Sequence, residues 1–340
     1  MKYWSFSRSR LHQHCPRAYY FKYLLRQSAE ARRARVLGCL STLTMSAGVA
    51  VDYVIARSLA AHREGGLKLG LADVGDRLMR RIISESPRIT SAMRNQADCT
   101  PQYDRHVPPL VNDFYDLDLG REFEERMVTR VRTCLEAFES SELWERLRSS
   151  DCSEWAPIIQ LDLEHVPFFM LERGLRVSAS YDFAVRSDST VTVLDWKSGT
   201  RTQRAELDAA DQLSIYGQWA AAHFHLPIEQ VEVQAVWLGE GEANWNPQRL
   251  EPELVEEVKR RITMEVAEEQ SRLIRICVAN GEVEHYEVDE SAYPPNPSTR
   301  RCLECPFREL CPAGQAESAH VASSRTSQTI PQMLLTQASS

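Results

Sequence analysis

Tyr181-Asp182-Phe183-Ala184-Val185, followed after a polar turn by Val191-Thr192-Val193-Leu194-Asp195-Trp196-Lys197, reads as a two-strand hairpin with charges at the strand ends. Asp182 interrupts the first strand and Asp195 ends the second. Asp195 and Lys197 lie two apart, so in an extended strand both side chains leave the same face. A strand this apolar should be buried, and burying two charges at its end is costly unless they serve a purpose. Two carboxylates suit Mg²⁺ or Mn²⁺, with phosphate oxygens and waters completing the shell. An ion held there acidifies water and stabilises charge on a phosphate under attack, and a neighbouring lysine can orient that water or neutralise the charge. A surface Asp–Lys pair at a strand end has the same spelling, so the triplet alone leaves both readings open.

The segments around the hairpin predict how it is held. Short β-rich stretches at 157–166, 167–171, 175–186 and 190–196 are separated by turn chemistry at Arg173-Gly174 and Ser187-Asp188. A helix is expected at 206–225, with Gln212 and Tyr216 at i and i+4 on one face. Both could hydrogen-bond phosphate or hold the lysine. Arg201 and Arg204, in the loop before that helix, could meet a DNA backbone. An apolar strand follows at 231–238. Upstream, helices are expected at 4–26, capped by Ser5 or Ser7, at 30–62 and at 121–148, with a polar stretch at 63–76 and loops over 88–120. Downstream come a long charged helix, 251–280, and a Pro-rich connector, 293–297. The tail from 313 onward is rich in Ser, Thr, Gln and Ala and is expected to be disordered.

This order predicts an α/β protein: a mixed β-sheet core flanked by helices, with an N-terminal helical insertion and a C-terminal cysteine-bearing segment. The expected divisions are an N-terminal helix at 1–30, a helical region at 31–150, the core at 151–290, the cysteine segment at 291–312 and the tail at 313–340.

The 340 residues are 43% hydrophobic and 26% charged, the profile of a globular chain. No run of about 18 apolar residues suggests a membrane span, and the first residues lack the apolar core of a signal peptide. An intracellular, cytoplasmic protein is expected. A net charge of −8 excludes a body coated in basic residues but not a local basic groove. Arg26, Arg32, Arg33 and Arg35 could contribute to one, or could form a solvated helix face. Nine cysteines, an odd number in a chain without a secretion signal, disfavour a disulfide framework. Cys39, Cys99, Cys134, Cys152 and Cys277 stand singly and read as packing residues.

Cys302, Cys305 and Cys311 are different: Arg301-Cys302-Leu303-Glu304-Cys305-Pro306-Phe307-Arg308-Glu309-Leu310-Cys311-Pro312 has the spacing C-x2-C-x5-C. Three thiolates need a fourth to close a Cys₄ site, and His14-Cys15-Pro16-Arg17-Ala18-Tyr19-Tyr20 offers Cys15. With Ser5-Phe6-Ser7 before it and aromatics after it, that opening resembles the RecB-like PD-(D/E)XK nucleases that carry an iron–sulfur cluster, among them the AddB nuclease domain and the CRISPR-associated adaptation exonucleases. The resemblance covers residues 1–60 and 157–312. It implies a restriction-endonuclease-like fold and a [4Fe–4S] cluster on Cys15, Cys302, Cys305 and Cys311. Asp182, Asp195 with Lys197, and Gln212 with Tyr216 match the family's motifs in order. The implied activity is metal-dependent cleavage of DNA, as an exonuclease on single strands or free ends, with a helicase or another nucleic-acid-processing protein as a partner. Zinc is the competing occupant of a Cys₄ site, although a ligand more than 280 residues from the other three is unusual for a zinc ribbon. Tyr19, Tyr20 and Tyr23 could pack beside the cluster or stack on bases.

One position departs from the family pattern. Where a histidine ligand is usual in a Gly-x-x-x-His helix, this sequence has Gly48-Val49-Ala50-Val51-Asp52, with Asp52 as the candidate third metal ligand. A second register, from Gly38 to Thr42, offers no ligand, and His62 falls on a different helix face. The rival function is a non-catalytic module that binds DNA ends on the same fold.

Overall fold

The computed structural model describes residues 3–26, 28–66, 70–95, 102–161, 166–241, 243–279 and 282–323. In chain order the strands are β1 (Tyr3–Trp4), β2 (Phe168–Leu171), β3 (Leu175–Ser178), β4 (Phe183–Ser187), β5 (Thr190–Trp196), β6 (Val231–Val236), β7 (Gln248–Arg249), β8 (Leu273–Ala279) and β9 (Glu282–Val288). The α-helices are α1 (Phe6–His14), α2 (Pro16–Tyr19, running on as a π-turn over Tyr20–Leu24), α3 (Ala29–Leu37), α4 (Leu43–Arg63), α5 (Leu71–Asn95), α6 (Val111–Phe114), α7 (Arg121–Glu139), α8 (Glu142–Ser149), α9 (Gln203–Phe224), α10 (Pro252–Ser271), α11 (Thr299–Leu303) and α12 (Pro312–Ser323). The chain forms two compact units, one of Met1–Phe6, Ala47–Arg80 and Arg126–Met264, the other of Ser7–Ser46, Arg81–Glu125 and Glu265–Ser340.

The first unit holds a four-stranded mixed sheet in the order β4-β5-β6-β7 and a three-stranded one in the order β1-β3-β2. Strands β4 and β5 are the expected hairpin, antiparallel with Phe183 opposite Leu194. Strand β6 then runs parallel to β5, placing Ala235 beside Asp195. A parallel neighbour needs a crossover, and α9 provides it, capped by Thr202 at its start and ended by His225 in the left-handed region (φ 55°). Strand β5 is buried from Val191 to Trp196 because it has a strand on each side and α9 against one face. Gly217 permits that contact: a Cβ there would lie 2.5 Å from Leu250 and 3.2 Å from Val231. The stretch 157–161, expected to be strand, instead contributes turns beside β4, where Tyr181 Oη donates to Pro157 O at 2.8 Å; 162–165 lie outside the described residues.

Helix α5 continues to Asn95 through Pro87, where loops were expected from 88. The proline hid a stripe at Met79, Ile82, Ile89 and Met93, all buried, and burial outweighs one missing hydrogen bond. Ser86 Oγ, fully buried, accepts the main-chain N–H of Leu110 at 2.8 Å. The expected helix over 251–280 stops at Ser271, and a run rich in β-branched residues from Leu273 pairs with β9. Part of the expected disordered tail is helix α12, while 324–340 lie outside the described residues, as does Cys99. Helix α4 is apolar and long enough to cross a membrane by length and composition, but 56% of the stretch is buried within the protein. Ala50, Val51, Val54, Ile55 and Leu59 make it a core helix.

Candidate active site

Asp182 and Asp195 occupy adjacent positions at the end of the β4–β5 hairpin, one step past the Phe183–Leu194 pair. Asp182 Oδ2 accepts the main-chain N–H of Trp196 at 2.6 Å, and its Oδ1 accepts from Gln160 Nε2 at 2.9 Å. Asp195, only 3% exposed, forms an ion pair through Oδ2 with Lys197 Nζ, although that buried oxygen accepts no aligned hydrogen bond. Lys197 Nζ also donates to Gln212 Oε1 at 2.6 Å, and Gln212 Nε2 donates to Tyr216 Oη at 2.5 Å. Of the two roles anticipated for Gln212, this geometry provides the hold on the lysine. Asp52, on α4, lies within electrostatic reach of Asp182, Asp195 and Lys197. All six residues singled out in the sequence therefore meet within one unit.

The electrostatics are strained in a definite direction. Burial, then the charge of Asp195, pushes Asp52 up to about 8 against the pull of Lys197. Asp182 is raised well above the usual carboxylate range by burial and by Asp52 and Asp195. Burial likewise raises Asp195, opposed by Lys197. Burial alone would lower Lys197, but the surrounding carboxylates outweigh it and its pKa is raised. Three acids thus share one ammonium, which leaves a net deficit of positive charge.

Among the described residues, no three His, Cys, Asp or Glu side chains converge on one point where a single ion could sit. At the acidic site the Lys197 ammonium itself lies against Asp195. The donor set nonetheless fits a hard divalent cation: oxygen ligands and an excess of negative charge.

The turn after Lys197 is held by residues that no motif identified. Gly239 N donates to Lys197 O at 3.1 Å, and a Cβ on Gly239 would lie 2.5 Å from Ser198 O and 2.6 Å from Gly199 O. Arg130 Nε, from α7, donates to Ser198 O at 2.6 Å. The one available signal was Gly239 itself, three residues past the end of β6.

Cys15, Cys302, Cys305 and Cys311 line a single cavity of about 350 Å³ in the second unit. Cys302 and Cys305 each feel the charge of Cys15 and Cys311. Burial pushes the Cys305 thiol up to about 12. Arg308 lines the same cavity, 6% exposed, donating to Leu303 O (3.5 Å) and Tyr115 O (3.3 Å) and lying over the Tyr115 ring. No carboxylate pairs with it among the described residues. Arg308 feels the charge of Cys305, and a buried guanidinium on the lining of this cavity fits an anionic group there.

Other candidates are engaged elsewhere. Arg201 and Arg204 pair with Glu206 (2.6 Å) and Asp208 (3.2 Å), and Arg33 pairs with Glu309. Tyr19 and Tyr20 are buried and stack on Tyr293 at 6.2 and 5.9 Å, a packing role that leaves them no open face for bases. His62 stacks on Trp155 and its Nε2 meets Arg148 O at 3.2 Å.

A mixed sheet flanked by helices, with acidic residues and a lysine at the ends of its central strands, is a restriction-endonuclease-like fold. The chain belongs to the PD-(D/E)XK nuclease superfamily, whose family model matches residues 3–312. A comparison with curated proteins finds no match. The superfamily consists of nucleases that typically use divalent metal ions, and the family implies a DNA substrate.

Proposed function

We propose that this chain is a divalent-metal-dependent deoxyribonuclease, an exonuclease acting on single-stranded DNA or DNA ends, and that it carries a structural [4Fe–4S] cluster. The observation that carries the catalytic reading is the placement of Asp182 and Asp195 side by side at the hairpin end, with Lys197 paired to Asp195 and Asp52 within electrostatic reach of all three. These three carboxylates would hold Mg²⁺ or Mn²⁺, which when bound supplies positive charge beside the phosphate and acidifies water. Lys197 holds its proton firmly, because the carboxylates around it outweigh burial. It would serve as a hydrogen-bond donor that orients water and offsets negative charge. Gln212 fixes the ammonium and Tyr216 fixes Gln212, so the helix presets the lysine before substrate arrives.

Support for the cluster is of a different kind: four cysteines on one cavity with an unpaired buried arginine, in the spacing of the iron–sulfur nucleases. The exonuclease preference follows the resemblance of the cysteine-bearing ends.

Purified protein on end-labelled single-stranded DNA, with Mn²⁺ and with chelator, tests the activity. Metal-dependent shortening is expected, and Asp195→Ala or Lys197→Ala should lower it about a hundred- to a thousand-fold. Tight binding of DNA ends without any cleavage would favour a non-catalytic module instead.

A further inference from the structure

Arg130 is anchored and unpaired at once. Its Nε donates to Ser198 O, one residue past Lys197. One terminal nitrogen lies 3.4 Å from where a Cβ on Gly199 would stand, so the glycine puts no side chain against the guanidinium there. Arg130 is half-buried, and among the described residues no carboxylate forms an ion pair with it. A guanidinium has five N–H donors, and the Ser198 carbonyl uses one. Partial burial of a cation without an anion is unfavourable, so the position suits a residue that waits for one. The neighbouring acids do not fill the role: they surround Lys197, and Arg130 reaches only the backbone of the turn.

We propose that Arg130 is a phosphate contact, receiving on its terminal amino groups a backbone phosphate of the nucleic acid whose cleavage is assigned to Asp52, Asp182, Asp195 and Lys197. The inference rests on that nuclease reading and adds a substrate residue to it. Planar donors match phosphate oxygens two at a time. Because the Nε anchor fixes the fork to the same turn that carries Lys197, phosphate and lysine are set in one frame.

Binding of an end-labelled single-stranded oligonucleotide, measured over a series of salt concentrations in a Lys197→Ala background, tests this. Adding Arg130→Gln should weaken binding about ten-fold at low salt. It should also flatten the log–log salt slope by about 0.7, the loss of one phosphate contact on a single strand. An unchanged slope overturns the proposal, including the case in which affinity and melting temperature both fall, which marks Arg130 as a structural strut. If Arg130→Gln cannot be purified, Arg130→Lys in the otherwise unaltered protein decides. It keeps the charge but loses the fork, so KM for DNA should rise about three-fold or more with kcat held; an unchanged KM overturns the proposal. Cleavage by Lys197→Ala itself counts against the catalytic reading and not against the Arg130 contact.

Discussion

Asp182 accepts the main-chain N–H of Trp196 at 2.6 Å, so a carboxylate before β4 grips the backbone of the residue lying between Asp195 and Lys197. The bond closes the open end of the hairpin beyond the Phe183–Leu194 pair. Asp182 is therefore both a proposed metal ligand and a fastening for the strand end that carries the other charges. Asp182→Asn keeps an acceptor for Trp196 and removes a charge that burial disfavours; Asp182→Ala removes both. Cleavage should fall about a hundred-fold or more in each. The melting temperature should hold or rise in Asp182→Asn and drop by a few degrees in Asp182→Ala. Equal melting temperatures for the two variants would show that the bond to Trp196 carries no weight.

The buried acids also set how stability depends on pH. Burial pushes Asp52 up to about 8 and raises Asp182 and Asp195, whereas in the unfolded chain each titrates near 4. Between those values the folded state keeps protons that the unfolded state has released. The metal-free protein is thus favoured at low pH and loses stability as pH rises from about 4 towards 8. A divalent ion that binds only the folded, ionised site reverses the loss. Mg²⁺ should raise the melting temperature more at pH 8 than at pH 6, and Asp52→Asn should raise the metal-free melting temperature by a few degrees at pH 8 and little at pH 5. A metal-independent, pH-flat profile would count against the shared acidic site.

Gly239→Ala tests the turn. Its Cβ would lie 2.5 Å from Ser198 O, a main-chain atom that cannot move aside cheaply, so the Lys197–Gly199 turn must shift. A displacement of a fraction of an ångström at a positioned ammonium is expected to lower kcat about ten- to a hundred-fold while the fold survives. Gly48→Ala is the counterpart. Its Cβ meets Ser198 Oγ at an ordinary 3.4 Å, and alanine suits the interior of α4 better than glycine. That variant should be as active as the parent and slightly more stable.

How much of this could be read in advance depended on where the cause lay. Asp182, Asp195 and Lys197 were legible because charges interrupt strands that are otherwise apolar, and Gln212 with Tyr216 because four-residue spacing fixes a helix face. Gly239 and Arg130 were not, since their roles arise where β6 and α7 meet a turn far away in sequence. Pro87 misled because one local rule was outweighed by buried contacts along α5. The β8–β9 hairpin was hidden because a charged helical run flows into a β-rich one with no break before Ser271.

The cysteine cavity gives a prediction that is independent of activity. Protein purified without oxygen should be brown and hold about four irons per chain. Serine at Cys15, Cys302, Cys305 or Cys311 should remove the colour and lower solubility, whereas serine at Cys152 should not. Arg308→Gln should reduce retained iron, because it removes a buried cation from the lining of the cavity. One zinc and no iron in elemental analysis would replace the cluster with a zinc site.

Asp52 brings the site's departure from the family pattern to a measurable end. As a metal ligand, Asp52 would add negative charge and a third oxygen donor, both of which favour hard cations. An imidazole nitrogen is accepted more readily by the transition ion Mn²⁺ than by Mg²⁺, although both ions prefer oxygen. Asp52 lies in reach of Asp182 and Asp195, and α4 holds it there by burying Val51, Val54 and Ile55 on either side. Cleavage should therefore run with Mg²⁺ nearly as well as with Mn²⁺. Asp52→His should keep activity but shift the preference towards Mn²⁺, and Asp52→Ala should weaken cleavage with both ions, most of all at low ion concentration. Rate against ion concentration for the three proteins decides the matter, and superimposed curves would remove Asp52 from the ligand set and leave Asp182 and Asp195 as its side chains.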